Sequence, residues 1–291
     1  MEAAAKQILH RYGYFALISG YKDLLKNPTT KNYRDGTTFD DIVAIFHFDR
    51  QLRELTFRYI SFVERQIRSL LSYAFCDTYG DNQTAYLTPG NYDNSTRKKR
   101  KVINDLINRY LSPLVTSPTQ YEYIEHQKRK HHNVPLWALV NALTFGSLSK
   151  MYALSSSRVQ AAVSVEFQNL NEAQLRQLLE VLTDFRNVCA HNERLFTHRC
   201  VKHDIPNLML HQKLMIMKRG QQYIYGKRDY FSVVIALRYL LPRSDFLEYK
   251  AQLSRLIDKV VANNRQLSIN AFLEIMGFPR NWKKITSYHK I

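Results

Sequence analysis

The sequence predicts an all-α protein. Gly and Pro number only 9 and 8 in 291 residues, so the residues that punctuate short strands and tight turns are scarce. Leu, Ile, Arg, Lys, Glu and Gln recur instead at steps of three and four, the spacing of helical faces. A chain of this length buries one substantial core, or one core with an appended subdomain. About eight helices are expected, some long and antiparallel, which is the pattern of a bundle.

Residues 6 to 26 carry Ile8, Leu9, Tyr12, Phe15, Ala16 and Tyr21, a helical stripe with a tyrosine-rich face expected in the core. After the polar stretch 27–38, Phe48, Leu52, Leu55, Tyr59, Val63, Ile67, Leu70 or Leu71, and Ala74 keep the helical step long enough to predict one long amphipathic helix. Residues 77–96 hold Gly80, Pro89, Gly90 and a cluster of Asp, Asn, Ser and Thr, and read as a loop. A short helix is expected near 101–112. Pro135-Leu136-Trp137 opens an apolar stretch to Leu154, with Phe145-Gly146 inside it, that reads as two short buried helices meeting at Gly146. Asn171, with Gln174 three residues on, has the spacing of a capping box, and Leu175, Leu178, Leu182 and Phe185 follow on one face. Further helices are expected over 229–241, stopped by Pro242, over 245–262, and over 269–276 before Gly277.

Lys and Arg number 42 against 25 for Asp and Glu, a formal charge of +17 with a pI near 9.7. Any polyanion is attracted before specificity matters, and RNA, DNA and anionic membranes all qualify. A membrane is the weaker choice, since no apolar run approaches the ~18 to 20 residues that span a bilayer and no signal-peptide core opens the chain. A cytoplasmic protein is expected. Cys76, Cys189 and Cys200 are odd in number and irregularly spaced, so reduced thiols are expected. The opening Met1 to Lys6 is generic helix-forming sequence. Two basic runs, Arg97, Lys98, Lys99, Arg100 and Lys101, then Lys128, Arg129 and Lys130, are either solvated faces or RNA-binding surfaces.

The segment Arg186-Asn187-Val188-Cys189-Ala190-His191 carries the candidate chemistry. RNA holds its own nucleophile in the ribose 2′-OH, so cleavage needs a base for that proton, an acid for the 5′-oxygen and positive charge at phosphorus. His191 is the natural proton carrier, Arg186 offers a permanent fork for phosphate oxygens, and Asn187 is placed to orient the imidazole or bond the ribose. On a helix, Arg186 and His191 lie about 140° apart, so one helix presents the pair poorly; the two converge on one phosphate if two copies of the helix cross about a two-fold axis or if the helix end unwinds near Ala190. The competing reading has Arg186 in an ion pair and His191 capping a helix C-terminus.

The stretch from Leu182 through Phe185-Arg186-Asn187 and Ala190-His191-Asn192-Glu193-Arg194-Leu195 resembles the C-terminal signature of the Abi-like family of bacterial abortive-infection proteins, part of the HEPN superfamily of helical RNA-cleaving domains. Phe48-Asp49-Arg50-Gln51-Leu52-Arg53 running into Glu64-Arg65-Gln66-Ile67-Arg68 resembles the family's central helix, and Pro135-Leu136-Trp137 with Phe145-Gly146-Ser147-Leu148-Ser149 its middle block. Tyr12-Gly13-Tyr14 to Gly20-Tyr21 echoes its start. The resemblance covers most of residues 10 to 200. It implies a HEPN-type helical bundle with additional helices, divided as 1–205, with a basic insertion at about 77–134, and a C-terminal helical extension over 206–291. It implies a metal-independent endoribonuclease acting in toxin–antitoxin phage defence, a homodimer whose composite site uses Arg186, Asn187 and His191, RNA as substrate, no cofactor, and an antitoxin that is RNA or protein. Asn141, where an acidic residue is expected, and Phe196-Thr197, where Trp and Asn are expected, depart from the pattern.

Glu64 and Arg68, one turn apart, either orient Arg186 and touch substrate or form a structural salt bridge. Arg194 either binds phosphate or is an exposed helix-end cation. A zinc site among Cys189, His191, His198, Cys200 and His203 fits no standard ligand spacing, and no metal is expected. The alternative function is a non-catalytic RNA-binding protein that holds a structured small RNA.

Overall fold

A computed structural model describes residues 2–27, 29–264 and 267–288. Met1, in the generic opening run, and residues 289–291, in the expected extension, lie outside the described residues. The protein is all-α, as expected, with fourteen α-helices and one two-stranded hairpin among the described residues. In order the helices are α1 (Glu2–Tyr12), α2 (Phe39–Tyr79), α3 (Gln83–Leu87), α4 (Arg97–Leu106), α5 (Ser112–Thr116), α6 (Glu122–His131) and α7 (Leu136–Leu139). There follow α8 (Phe145–Leu154), α9 (Ser157–Ser164), α10 (Glu172–Ala190), α11 (Met209–Lys213), α12 (Tyr230–Leu240), α13 (Arg243–Ala262) and α14 (Ile269–Ile275). The strands are β1 (Lys218–Arg219) and β2 (Gln222–Tyr223), paired antiparallel with Lys218 opposite Tyr223.

The excess over eight helices has a physical cause. α3, α5, α7 and α11 are one turn or slightly more, too short to show a period of 3.6 and held by caps and tertiary packing. α3 is one case: the Asn82 side chain accepts from the Thr84 N–H inside the stretch read as loop. The second basic run is the last turn of α6, where Lys128, Arg129, Lys130 and His131 oppose the negative end of the helix dipole. The first segment also departs from a single helix, because Gly13 at φ +79° stops α1, and a π turn (Phe15–Ser19) and a 3-10 turn (Lys22–Leu25) follow. The two helices around residue 145 join through Leu143 and Thr144, where Thr144 caps α8 from the Ser147 N–H, and Gly146 lies within the first turn.

The chain forms two compact units. The first takes the chain up to Tyr59 and resumes at Asp184, so its core joins Leu17, Ile45 and Leu52 to Phe196, Tyr230, Phe231 and Tyr249, all fully buried. Phe196 is central to that packing, with ring contacts to Phe48 and Phe272 at 6.0 and 5.6 Å. The second unit runs Ile60–Thr183 around Ile67, Leu71, Phe75, Leu148, Tyr152, Leu178 and Leu182. The predicted capping box at the start of α10 is present, with Asn171 N–H donating to Gln174 Oε1 (3.0 Å) and Gln174 N–H to Asn171 Oδ1 (2.8 Å).

Candidate active site

The candidate site lies at the C-terminal end of α10. Leu175, Leu178, Leu182 and Phe185 are fully buried, which sets the rotation of the helix about its axis. With that stripe inward, Arg186 is half-buried while Asn187 and His191 are exposed.

The helix ends in a left-handed stop. His191 N–H donates to the Asn187 carbonyl at 2.9 Å, Asn192 N–H to Cys189 O at 3.3 Å, and Glu193 N–H reaches back to Val188 O at 3.1 Å. Asn192 takes the reversal at φ +56°, a conformation that Asn tolerates better than other side-chain-bearing residues. His191 is therefore the last residue before the chain turns, at the negative end of the helix dipole.

Beyond the stop, Asp49 ties the chain to α2. Its carboxylate is fully buried and accepts from Leu195 N–H (3.1 Å), Phe196 N–H (3.0 Å), Tyr21 Oη–H (2.8 Å) and Arg53 Nη1 (2.5 Å). Arg53 Nη1 also donates to the Glu193 carbonyl at 3.2 Å. Burial pushes the Asp49 pKa up, opposed first by the Arg53 guanidinium and then by the Phe196 amide. This network positions the backbone on either side of Arg194, whose own guanidinium donates to the Gly20 carbonyl.

Arg186 faces α2, its guanidinium 5.4 Å from the centroid of the Phe57 ring. Beside it opens a cleft of about 330 Å³, lined from α2 by Arg50, Arg53, Glu54 and Phe57 and from the end of α10 by Cys189, Ala190 and Asn192. Burial pushes the Cys189 thiol up to about 12, so it is not a nucleophile at neutral pH. His191 lies about 140° round the helix from Arg186; on one chain the two belong to different faces. Asn187 and His191 share their face instead with Asp184, within about 60° of one another.

Glu64 and Arg68 are paired in the second unit, where Arg68 donates to Glu64 Oε1 and to the carbonyls of Val140 and Leu143, the last at 2.7 Å. That geometry clamps the turn after α7. In the first basic run Lys99 pairs with Asp93, which holds that carboxyl down to about 2 chiefly through the hydrogen bond from Lys99, and Arg100 donates to Asn94 O at 3.2 Å. Arg97, Lys98 and Lys101 are exposed. In the second run Lys128 bonds Ser117 O (2.6 Å) and Glu125 (2.9 Å), Arg129 pairs with Glu122 at 2.5 Å, and Lys130 is exposed.

Four side chains around the site carry no role on sequence grounds alone: Asp49, Arg53, Phe57 and Asp184. Asp49 and Arg53 stand four apart in an apolar helix, a spacing that signals an ion pair but not that Leu195 and Phe196 complete it. Among the described residues no group of three or more His, Cys, Asp or Glu is arranged to hold a metal ion.

The chain matches the family described as Abi-like protein over residues 7–197, and it belongs to that family. The matched region contains α2, α10, the Asp49 network and the Arg186 to His191 segment, and its end falls beside Phe196. The family description associates the chain with abortive infection, the response that limits phage spread. No curated protein and no solved structure matches it. No helix among the described residues is long and apolar enough to cross a membrane.

Proposed function

We propose that the chain is a metal-independent endoribonuclease of the HEPN type, acting as the toxic arm of a bacterial abortive-infection or toxin–antitoxin system. The observation that carries this reading is the end of α10: the Arg186 guanidinium packs by Phe57, itself a wall of an open cleft, on one face, while His191 stands exposed on another. In this reading two copies meet about a two-fold axis, so that the Arg186 fork of one and the imidazole of the other act on one phosphodiester. The ribose 2′-oxygen attacks phosphorus, a base takes its proton, and the 5′-oxygen leaves as it receives one. The products are a 2′,3′-cyclic phosphate and a 5′-hydroxyl. Arg186 offsets the charge on the equatorial oxygens, and Asn187 holds the ribose or the imidazole. The exposed charges of Arg97, Lys98, Lys101 and Lys130 draw RNA to the protein.

The test is cleavage of single-stranded RNA in EDTA, with end-group analysis of the products. His191→Ala is expected to lose about 100-fold to 10,000-fold in rate; a variant that cuts as fast as the parent removes the mechanism. Sedimentation at micromolar concentration is expected to show a homodimer, and a cleaving monomer would exclude the composite site. A second reading is favoured by the same exposed cations: a non-catalytic protein that holds a structured small RNA, such as an antitoxin RNA. Salt-sensitive binding that leaves the RNA intact would select it.

A further inference from the structure

The face of α10 that carries Asn187 and His191 has another imidazole beside it. His198 Nε2 lies 2.6 Å from Asp184 Oδ2, and Asp184 is one turn below Asn187 and two turns below His191 on the same stripe. The left-handed stop at Asn192, with the Asp49 bonds to Leu195 and Phe196, folds the chain back along the helix and delivers His198 there. The His198 ring stands edge-on to Phe185 at 5.0 Å, which leaves it little freedom to rotate.

We propose that His198 is the second proton carrier of the site, held by Asp184, so that one chain supplies both histidines that RNA cleavage needs. The inference rests on the ribonuclease reading above. Asp184 has its pKa lowered, first by the hydrogen bond with His198, with Cys200 and His203 acting in the same direction. A carboxylate accepts and does not donate, so the proton of the neutral imidazole is on Nε2. Nδ1 is then the basic atom; it has no hydrogen-bond partner and is not buried among the described residues. This is the arrangement in which an acid fixes the tautomer of a base and balances the imidazolium it becomes.

His198 Nδ1 takes the proton of the 2′-OH as the 2′-oxygen bonds to phosphorus. The P–O5′ bond breaks, and the 5′-oxygen receives a proton from the imidazolium of His191. One proton enters at His198 and one leaves from His191, and exchange with water restores both. The two histidines are anchored about 10 Å apart along the helix axis, one to either side of Asn187, and the phosphodiester is taken between them.

The experiment compares pH–rate profiles of single-turnover cleavage for the full-length parent, His191→Ala, His198→Gln and Asp184→Asn. His198→Gln is expected to cleave at least about 100-fold more slowly and to lose the acidic limb of the profile. Asp184→Asn, which breaks the tautomer constraint, is expected to lose at least about 10-fold and to shift the same limb. His198→Ala is expected to recover activity when imidazole is added. A purely structural role would leave the shape of the profile unchanged. Full activity of His198→Gln with both limbs intact, beside an inactive His191→Ala, overturns this inference alone and assigns the second proton to a partner copy's histidine. Absence of cleavage by the parent overturns the ribonuclease reading as well. Should His198→Gln fail to fold, an unshifted Asp184→Asn profile gives the same refutation.

Discussion

Replacing Asp49 by Ala tests whether one buried carboxylate holds the site together. The substitution strands four donors in the interior: the Leu195 and Phe196 amides, the Tyr21 hydroxyl and the Arg53 guanidinium. An unsatisfied buried donor costs about 1 to 3 kcal/mol, and breaking a buried ion pair about 3 to 5 kcal/mol. These overlap, since Arg53 keeps its bond to the Glu193 carbonyl, and a destabilisation of about 4 kcal/mol is expected. Urea unfolding of the parent, Asp49→Ala, Arg53→Met and the double variant measures it, with a coupling of at least about 1 kcal/mol between the two positions. Amide hydrogen exchange supplies the local readout. Protection at Leu195 and Phe196 should fall far more than protection at Leu178 or Leu182 of α10. A destabilisation under about 1 kcal/mol with those amides still protected would refute the anchoring argument, because it would mean that packing of Phe196 alone holds the chain after His191.

Charge reversal of the exposed Arg97, Lys98 and Lys101 should reduce the salt dependence of RNA binding by about 0.7 for each phosphate that is no longer neutralised; an unchanged slope marks α4 as a solvated face. His211 is fully buried, accepting at Nδ1 from Leu208 N–H (3.1 Å) and donating from Nε2 to Gly226 O (2.9 Å), and burial lowers its pKa to about 4. Protonation is then tighter in the unfolded chain, so the stability it contributes is complete above its ordinary value near 6.5 and is lost as pH falls toward 4. The difference in unfolding free energy between the parent and His211→Gln, which cancels other titrating groups such as Asp229, should shrink by about 3 kcal/mol across that interval; a pH-independent difference would exclude the assignment. Gly277 sits at φ +80° with the position of a Cβ only 2.1 Å from Asp229 Cγ. Gly277→Ala should cost at least about 2 kcal/mol by thermal unfolding, and a neutral result would show that Asp229 moves freely.

Local sequence determined the helical class and the main elements of the site. Periodicity defines α2 and α10 because their buried stripes are long, and the Asn171–Gln174 box marks the start of α10 because both partners lie within one turn. The Arg186 to His191 segment was visible for the same reason, as was the angle that keeps its two charged side chains on different faces. Whether Lys99 is occupied by an acid was not visible, because Asp93 reaches it from the turn ahead of α4, whereas Glu125 and Lys128 stand three apart on α6, a spacing that a helix brings together.

The surroundings of His191 required the folded chain. Asp49 meets Leu195 after a separation of 146 residues, Phe57 meets Arg186 across a similar span, and His198 returns to Asp184 only because Asn192 reverses the helix. Pairings of that kind depend on which buried stripes pack together, and a linear pattern of apolar residues says which face of each helix is inward without saying what it faces. The sequence by itself determined that α10 ends in an arginine and a histidine on separate faces. Tertiary structure decided that the arginine packs by Phe57 of α2, which lines a cleft, and that the histidine shares its face with a second, carboxylate-held imidazole.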